Sequence, residues 1–413
     1  MFGSIDPDNP MGGLLGDLLK VIGSGQAGGG SDSWFEAART LAFGVATDGG
    51  VDDNPDPLVR IAFVELARVA ELHVADVTGI TSPASHAGPA TGPGGGARAG
   101  VSFDAVGPGQ WSFKVLEAYR PVLKSMVEAQ QQGASAVPTM DLTEFDPDGG
   151  AGLQGLLSQF ALTLGPVFLG MQFGSAAGHL ARRAFGQYAL PLPWPPETNA
   201  LLLVPGNVAR FAEDWSLPLQ EVQLWICLRE LTMHAVMTRP GIRAALTRLL
   251  GDSSAHAAAS QRSLVERLGD GLGDDVTLEG VLGDPESILA DLVSPEQRNI
   301  SNALTAVTTA LGAYVDHVTA GIAATLTSSP AALREAWYRY RAEEAKGEQA
   351  FAGLFGINVG QAEVDRGATF IDGVVERAGE SALSRLLMDE LDLPTPAEVD
   401  APGLWLARIG LLD

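Results

Sequence analysis

Apolar positions along the chain fall on helical spacing far more often than on strand alternation. Trp34, Ala37, Leu41 and Phe43 predict a helix over 34–47, and Leu58, Ile61, Phe63, Val64, Leu66, Val69 and Leu72 predict a second that starts at Pro57. The two are expected to pair as a hairpin. After residues 101–104 a further helix is expected over 109–132. Later helices are expected from Asn207, as cap, to residue 212, from Pro218 to about 238, and over 243–250, 263–268, 295–326 and 331–344. Ala200, Leu201, Leu202, Leu203 and Val204 form a short apolar run between turn signals, the clearest strand. The fold class this predicts is mainly α with a small β element.

One stretch imitates a membrane span, because residues 149–181 contain no Asp, Glu, Lys or Arg. Gln154, Gln159, Pro166, Gln172 and His179 interrupt it, and no basic anchor flanks its N-terminal side. Gly170, Gly174 and Gly178 form a ladder at four-residue spacing that lets two helices approach closely. A helix buried in the protein interior is the expectation. Gly and Pro divide the rest: a Gly-rich tail over 1–33, a helical region over 34–132 interrupted by a Gly/Pro loop at 81–100, a linker at 133–150, and one compact unit over 151–413.

Composition narrows the function. The 413 residues carry a net charge of −24, which disfavours a nucleic-acid partner recognised through a basic surface. A single cysteine, Cys227, excludes a disulfide framework and cysteine-rich metal sites. With an acidic, proline-broken N-terminus in place of a secretory leader, this leads to the expectation of a cytoplasmic protein with no membrane partner. No phosphate loop, nucleophile elbow or EF-hand loop occurs.

The chemistry that remains lies in Trp225-Ile-Cys-Leu-Arg-Glu-Leu-Thr-Met-His234, where Glu230 and His234 share one helical face. In a His-Glu-x-x-His helix, two imidazoles one turn apart hold zinc and the glutamate takes a proton from zinc-bound water. Here Arg229 stands at the first histidine position and Met233 at the second, while His234 is rotated about 100° away. Arginine, a permanent cation, cannot ligate zinc.

Several short stretches occur in an order that resembles the zincin-like metallopeptidase family of actinobacteria, one branch of which is associated with deazaflavin cofactor biosynthesis. They are Met171-Gln-Phe-Gly174, Leu201 to Val208, Leu228-Arg-Glu230, Tyr314-Val-Asp-His-Val318, Arg339-Tyr-Arg-Ala342 and Gly347-Glu-Gln-Ala-Phe351. The resemblance implies a zincin-like core preceded by a helical N-terminal region, and zinc as cofactor. It also implies that this chain has vacated the ligand positions: Arg229, Met233, and Gly312 with Ala313 where complete members have Glu-Gly. Glu230, the family's general base, stays in register. The expected function is therefore a degenerate metallohydrolase that binds a peptide or protein partner. The alternative is an active peptidase in which Glu230 serves as base beside a displaced metal set of His234, His317 and Glu348.

Overall fold

Proline and short polar side chains set where the helices begin. The computed structural model describes residues 32–52, 54–79, 101–135, 150–194, 200–269, 294–342 and 346–412. Helix α1 (Ser33–Ala46) is followed by α2 (Pro57–Thr78), strand β1 (Ser102–Ala105), α3 (Pro108–Ser135), α4 (Gly150–Ala181) and strand β2 (Ala200–Leu203). Then come α5 (Pro205–Asp214), α6 (Leu219–Met237), α7 (Pro240–Gly269), α8 (Pro295–Leu326), α9 (Pro330–Ala342), α10 (Lys346–Leu354) and α11 (Gln361–Ala378). Two 3₁₀ turns and the short helices α12 (Pro396–Asp400) and α13 (Pro402–Arg408) close the chain. Pro57, Pro205 and Pro295 sit in first turns, where a missing N–H costs nothing. Asp56 caps α2 by accepting from Leu58 N at 2.8 Å, and Ser294 caps α8 by accepting from Gln297 N at 3.1 Å.

The charge-free stretch forms α4, which packs on α1, α3 and α10 and buries Phe173, Ala177, Leu180 and Ala181. None of the described helices is long and apolar enough to cross a membrane. The glycine ladder faces α1: a Cβ at Gly170, Gly174 or Gly178 would come within 2.0, 2.3 or 2.7 Å of the carbonyl oxygens of Trp34, Ala38 and Ala42. The expected α1–α2 hairpin does not form, because α1 is taken up by α4 while α2 lies across α6 and β1.

Strands β1 and β2 pair in parallel, Ser102 opposite Ala200 and Ala105 opposite Leu203. Gly186 forms an antiparallel bridge with Leu203 on the other side of β2, and Val204 N donates to Phe185 O at 2.8 Å. Residues 185 and 186 thus lie beside β2, and the chain turns away from it over 187–191. Two other expectations change: Asn207 lies in the first turn of α5 and donates to Ala181 O and Ala184 O at 2.9 and 2.7 Å instead of capping, and 243–250 and 263–268 belong to one helix, α7. The 81–100 loop and residues 1–31 of the tail lie outside the described residues, and of the 133–150 linker only the two helical ends are described. One apolar core runs from Trp34 to Ile409.

Candidate functional site

Helix α6 is buried on every side between Val222 and Met237 except at His234. A helix that is apolar all round belongs in a protein interior, so the polar residues it carries must find partners there. Glu230 is 1% exposed. Its Oε2 accepts from Tyr188 N at 2.9 Å and its Oε1 from Arg229 Nη1 at 3.3 Å, while the same Nη1 donates to Tyr188 O at 3.2 Å. The Arg-Glu pair thus fastens the turn at Tyr188 onto α6. Gly186 makes room for it, since a Cβ there would lie 2.4 Å from Glu230 Cδ.

Around Arg229 the sequence folds three further elements into one polar network. Asp316, on α8, lies 3.7 Å from Arg229 Nε, accepts from Trp337 Nε1 at 3.1 Å, and pairs with Arg341. The Arg229 guanidinium stands 4.7 Å from the ring centre of Trp337, a cation–π contact in a buried setting. Arg183 donates to Tyr340 O at 2.8 Å and stacks on the Tyr340 ring at 4.1 Å. Burial raises the Glu348 carboxyl pKa, while the charges of Arg341, Arg183 and Arg229 pull it down.

These residues border a cavity of about 450 Å³. Its wall combines Arg183, Arg229, Arg341, Glu230, Asp316 and Glu348 with the aromatic Trp225, Trp337, Tyr338 and Tyr340. Gly312 and Ala313 also face it, and a Cβ built on Gly312 meets nothing within 4 Å. The positions where the resemblance places a lost ligand pair are therefore open to the cavity.

The sequence-predicted residues are only partly brought together. Glu230, His317 and Glu348 border the same cavity, whereas His234 is not part of its wall. His234 Nδ1 shares a 3.0 Å hydrogen bond with the Tyr188 hydroxyl, and His317 Nε2 lies 2.9 Å from Glu380 Oε2. Met233 is fully buried in the core. Among the described residues, no three or more His, Cys, Asp or Glu are placed to hold a metal ion. The donor set does not fit zinc: a guanidinium fills the first histidine position, and each histidine is turned to a partner of its own. Arg341, Trp337 and Tyr188 are the members that sequence reasoning did not assign to the site, while Asp316, a candidate metal ligand by residue type, pairs instead with arginines. Tyr188 enters through its backbone, which leaves no mark on residue type.

Burial also decides the protonation of the α6 pair. It pushes the Glu230 carboxyl up to about 7, with Arg229 and the Tyr188 N–H opposing, and holds the His234 imidazole down at about 4. The unfolded chain releases the glutamate proton near 4.5, so between about 4.5 and 7 the folded state alone keeps it and stability falls as pH rises. His234 works in the opposite sense: between about 6.5 and 4 only the unfolded chain takes up the proton, so stability falls as pH falls. Above pH 6.5 the glutamate acts alone of the two. Glu230→Gln is expected to flatten the decline in urea midpoint between pH 6.5 and 8, and an unchanged slope would show that Glu230 is already ionised there.

Comparison with known proteins bears on the fold and the family. A crystal structure of a Chloroflexus aurantiacus protein, proposed to be a hydrolase and solved as a novel fold, superposes with a TM-score of 0.60 at 20% identity, over 91% of this chain and 98% of that one. At that identity the likeness establishes the fold alone. No curated protein matches the chain. The family model described as zincin-like metallopeptidase matches residues 34–406. The chain belongs to the zincin-like metallopeptidase family.

Proposed function

We propose that this chain is a metallopeptidase-family protein that no longer hydrolyses peptides and uses the cavity beside Glu230 to bind a peptide or protein segment. The observation that carries the reading is Arg229: a buried guanidinium at the first ligand position, paired with Glu230 and lying beside Asp316. A general base is useful in a zincin only when a metal has lowered the pKa of a bound water. Here both oxygens of that base are already spent, one on Tyr188 N and one on Arg229.

The cavity retains what a binding site needs. Its volume lies in the range of small-molecule and peptide sites, and its aromatic wall supplies apolar contact beside charged groups that fix orientation. Ala189 and Pro191, in the bends that follow Tyr188, also border it.

One observation favours hydrolysis. A carboxyl near pKa 7 matches what a general base requires at neutral pH, and family membership is what supports zinc as its cofactor. The donor set around Glu230 speaks against that reading.

Gly312→Leu separates binding from folding. The new side chain enters open space, and losing a mid-helix glycine favours the helix by about 0.5–1 kcal/mol. The unfolding midpoint is expected to hold or rise, while peptides selected on a random-sequence array by the wild-type chain lose their binding, read through the fluorescence of Trp225 and Trp337. Equal binding by the variant would place the partner elsewhere.

A further inference from the structure

Helix α2 carries two apolar faces, and among the described residues only one is packed. Phe63, Ala67, Ala70 and Val74 form a buried stripe toward α6 and β1. On the opposite side, at 100° per residue, Leu58, Ile61, Val64, Val69 and Leu72 make a second stripe, with Leu58 72%, Ile61 59% and Leu72 74% exposed. Single exposed apolar residues are ordinary, but here five share one helical face, with the exposed pair Glu65 and Arg68 set among them at 100° per residue.

The order of residues along this face says what fits it. About a point midway between residues 66 and 67 the face is a pseudo-palindrome: Ile61 answers Leu72, Val64 answers Val69, and Glu65 answers Arg68. Glu65 and Arg68 now pair with each other at 2.9 Å, both side chains largely exposed. Laid antiparallel on a second copy of the same helix, the face sets apolar residues on apolar residues and Glu65 of each copy beside Arg68 of the other. That self-complementarity is what an isologous two-fold contact requires, and the Glu65–Arg68 pairs within the face would fix its orientation and register.

We infer that the outer face of α2 is the interface of a two-fold, antiparallel dimer of this chain. The inference is independent of what the cavity binds.

Sedimentation of the full-length chain is expected to show a dimer that Ile61→Arg with Leu72→Arg turns into a monomer at unchanged helix content. Both residues are solvent-exposed, so loss of association without loss of fold is readable. Glu65→Arg is expected to weaken association about tenfold by setting like charges together, and Arg68→Glu in the same chain to restore it. Register is tested by disulfide formation, since the native Cys227 is buried. Ile61→Cys chains mixed with Leu72→Cys chains should cross-link, whereas Ile61→Cys alone should not, its two copies lying about 16 Å apart along the helix. A wild-type chain that stays monomeric at every concentration, whether another segment of the same chain or a different protein covers the face, overturns the inference. So does a dimer that ignores these substitutions or cross-links through Ile61→Cys alone.

Discussion

Arg229→Met is expected to lower the free energy of unfolding by about 3–5 kcal/mol, the cost of stripping one partner from a buried charge pair. The side chain is almost wholly buried and holds three groups at once: Glu230, Asp316 and the carbonyl of Tyr188. Methionine fills much of the volume yet satisfies none of them. Glu230 would keep its backbone bond from Tyr188 N but lose its cation, and the cation–π contact with Trp337 would be lost with the charge. Arg229→Lys keeps the charge but not the planar fork, so it should fall between wild type and methionine. Adding Glu230→Gln to Arg229→Met should recover part of the loss, because the uncompensated carboxyl is then removed. Urea denaturation of the three variants checks this. A methionine variant within about 0.5 kcal/mol of wild type, the range of an ordinary surface change, would mean that Arg229 is not the cation that neutralises the site.

The second large effect lies in the α1–α4 contact. A Cβ at Gly174 would stand 2.3 Å from the Ala38 carbonyl oxygen, and one at Gly170 would stand 2.0 Å from that of Trp34. Both neighbours are backbone and cannot rotate away, so either alanine must push the two helices apart. Overpacking of this kind costs about 1–3 kcal/mol and sometimes more. The two substitutions should combine to less than their sum, because the first separation of the helices relieves the second clash. Gly312→Ala is the matched control, since its Cβ meets nothing within 4 Å and the change should be neutral or slightly stabilising. Thermal or urea midpoints distinguish these outcomes, and equal effects at Gly174 and Gly312 would contradict the close approach.

Residue type and spacing made the main frame of the fold legible. The Gly170-Gly174-Gly178 ladder marks a close helix contact because only glycine tolerates one, and β2 stands out as an apolar run between turns. What escaped depends on distant partners. The four residues of β1, Ser-Phe-Asp-Ala, carry no strong strand pattern and are extended because β2 lies beside them. α1 and α2 look like natural neighbours until the ladder on α4 claims α1.

The site divides in the same way. Arg229 and Glu230 stand out by their place in the motif, and Gly312 and Ala313 by the family resemblance, which puts a Glu-Gly pair there; all four border the cavity. His234 and His317 attract attention as metal-ligand types, but residue type does not reveal that Tyr188 and Glu380 engage them. Asp316 is an ordinary helical carboxylate in sequence. It becomes central only when α6, α8 and α9 bring Arg229, Arg341 and Trp337 to it.

The central claim, that Arg229 supplies the positive charge of this site in place of a metal, is tested most directly by the zinc content of the full-length chain, purified without chelator and dialysed against zinc. The account predicts no zinc above the level of an unrelated control protein. Stoichiometric zinc in the wild-type chain, lost in His234→Ala, would contradict it.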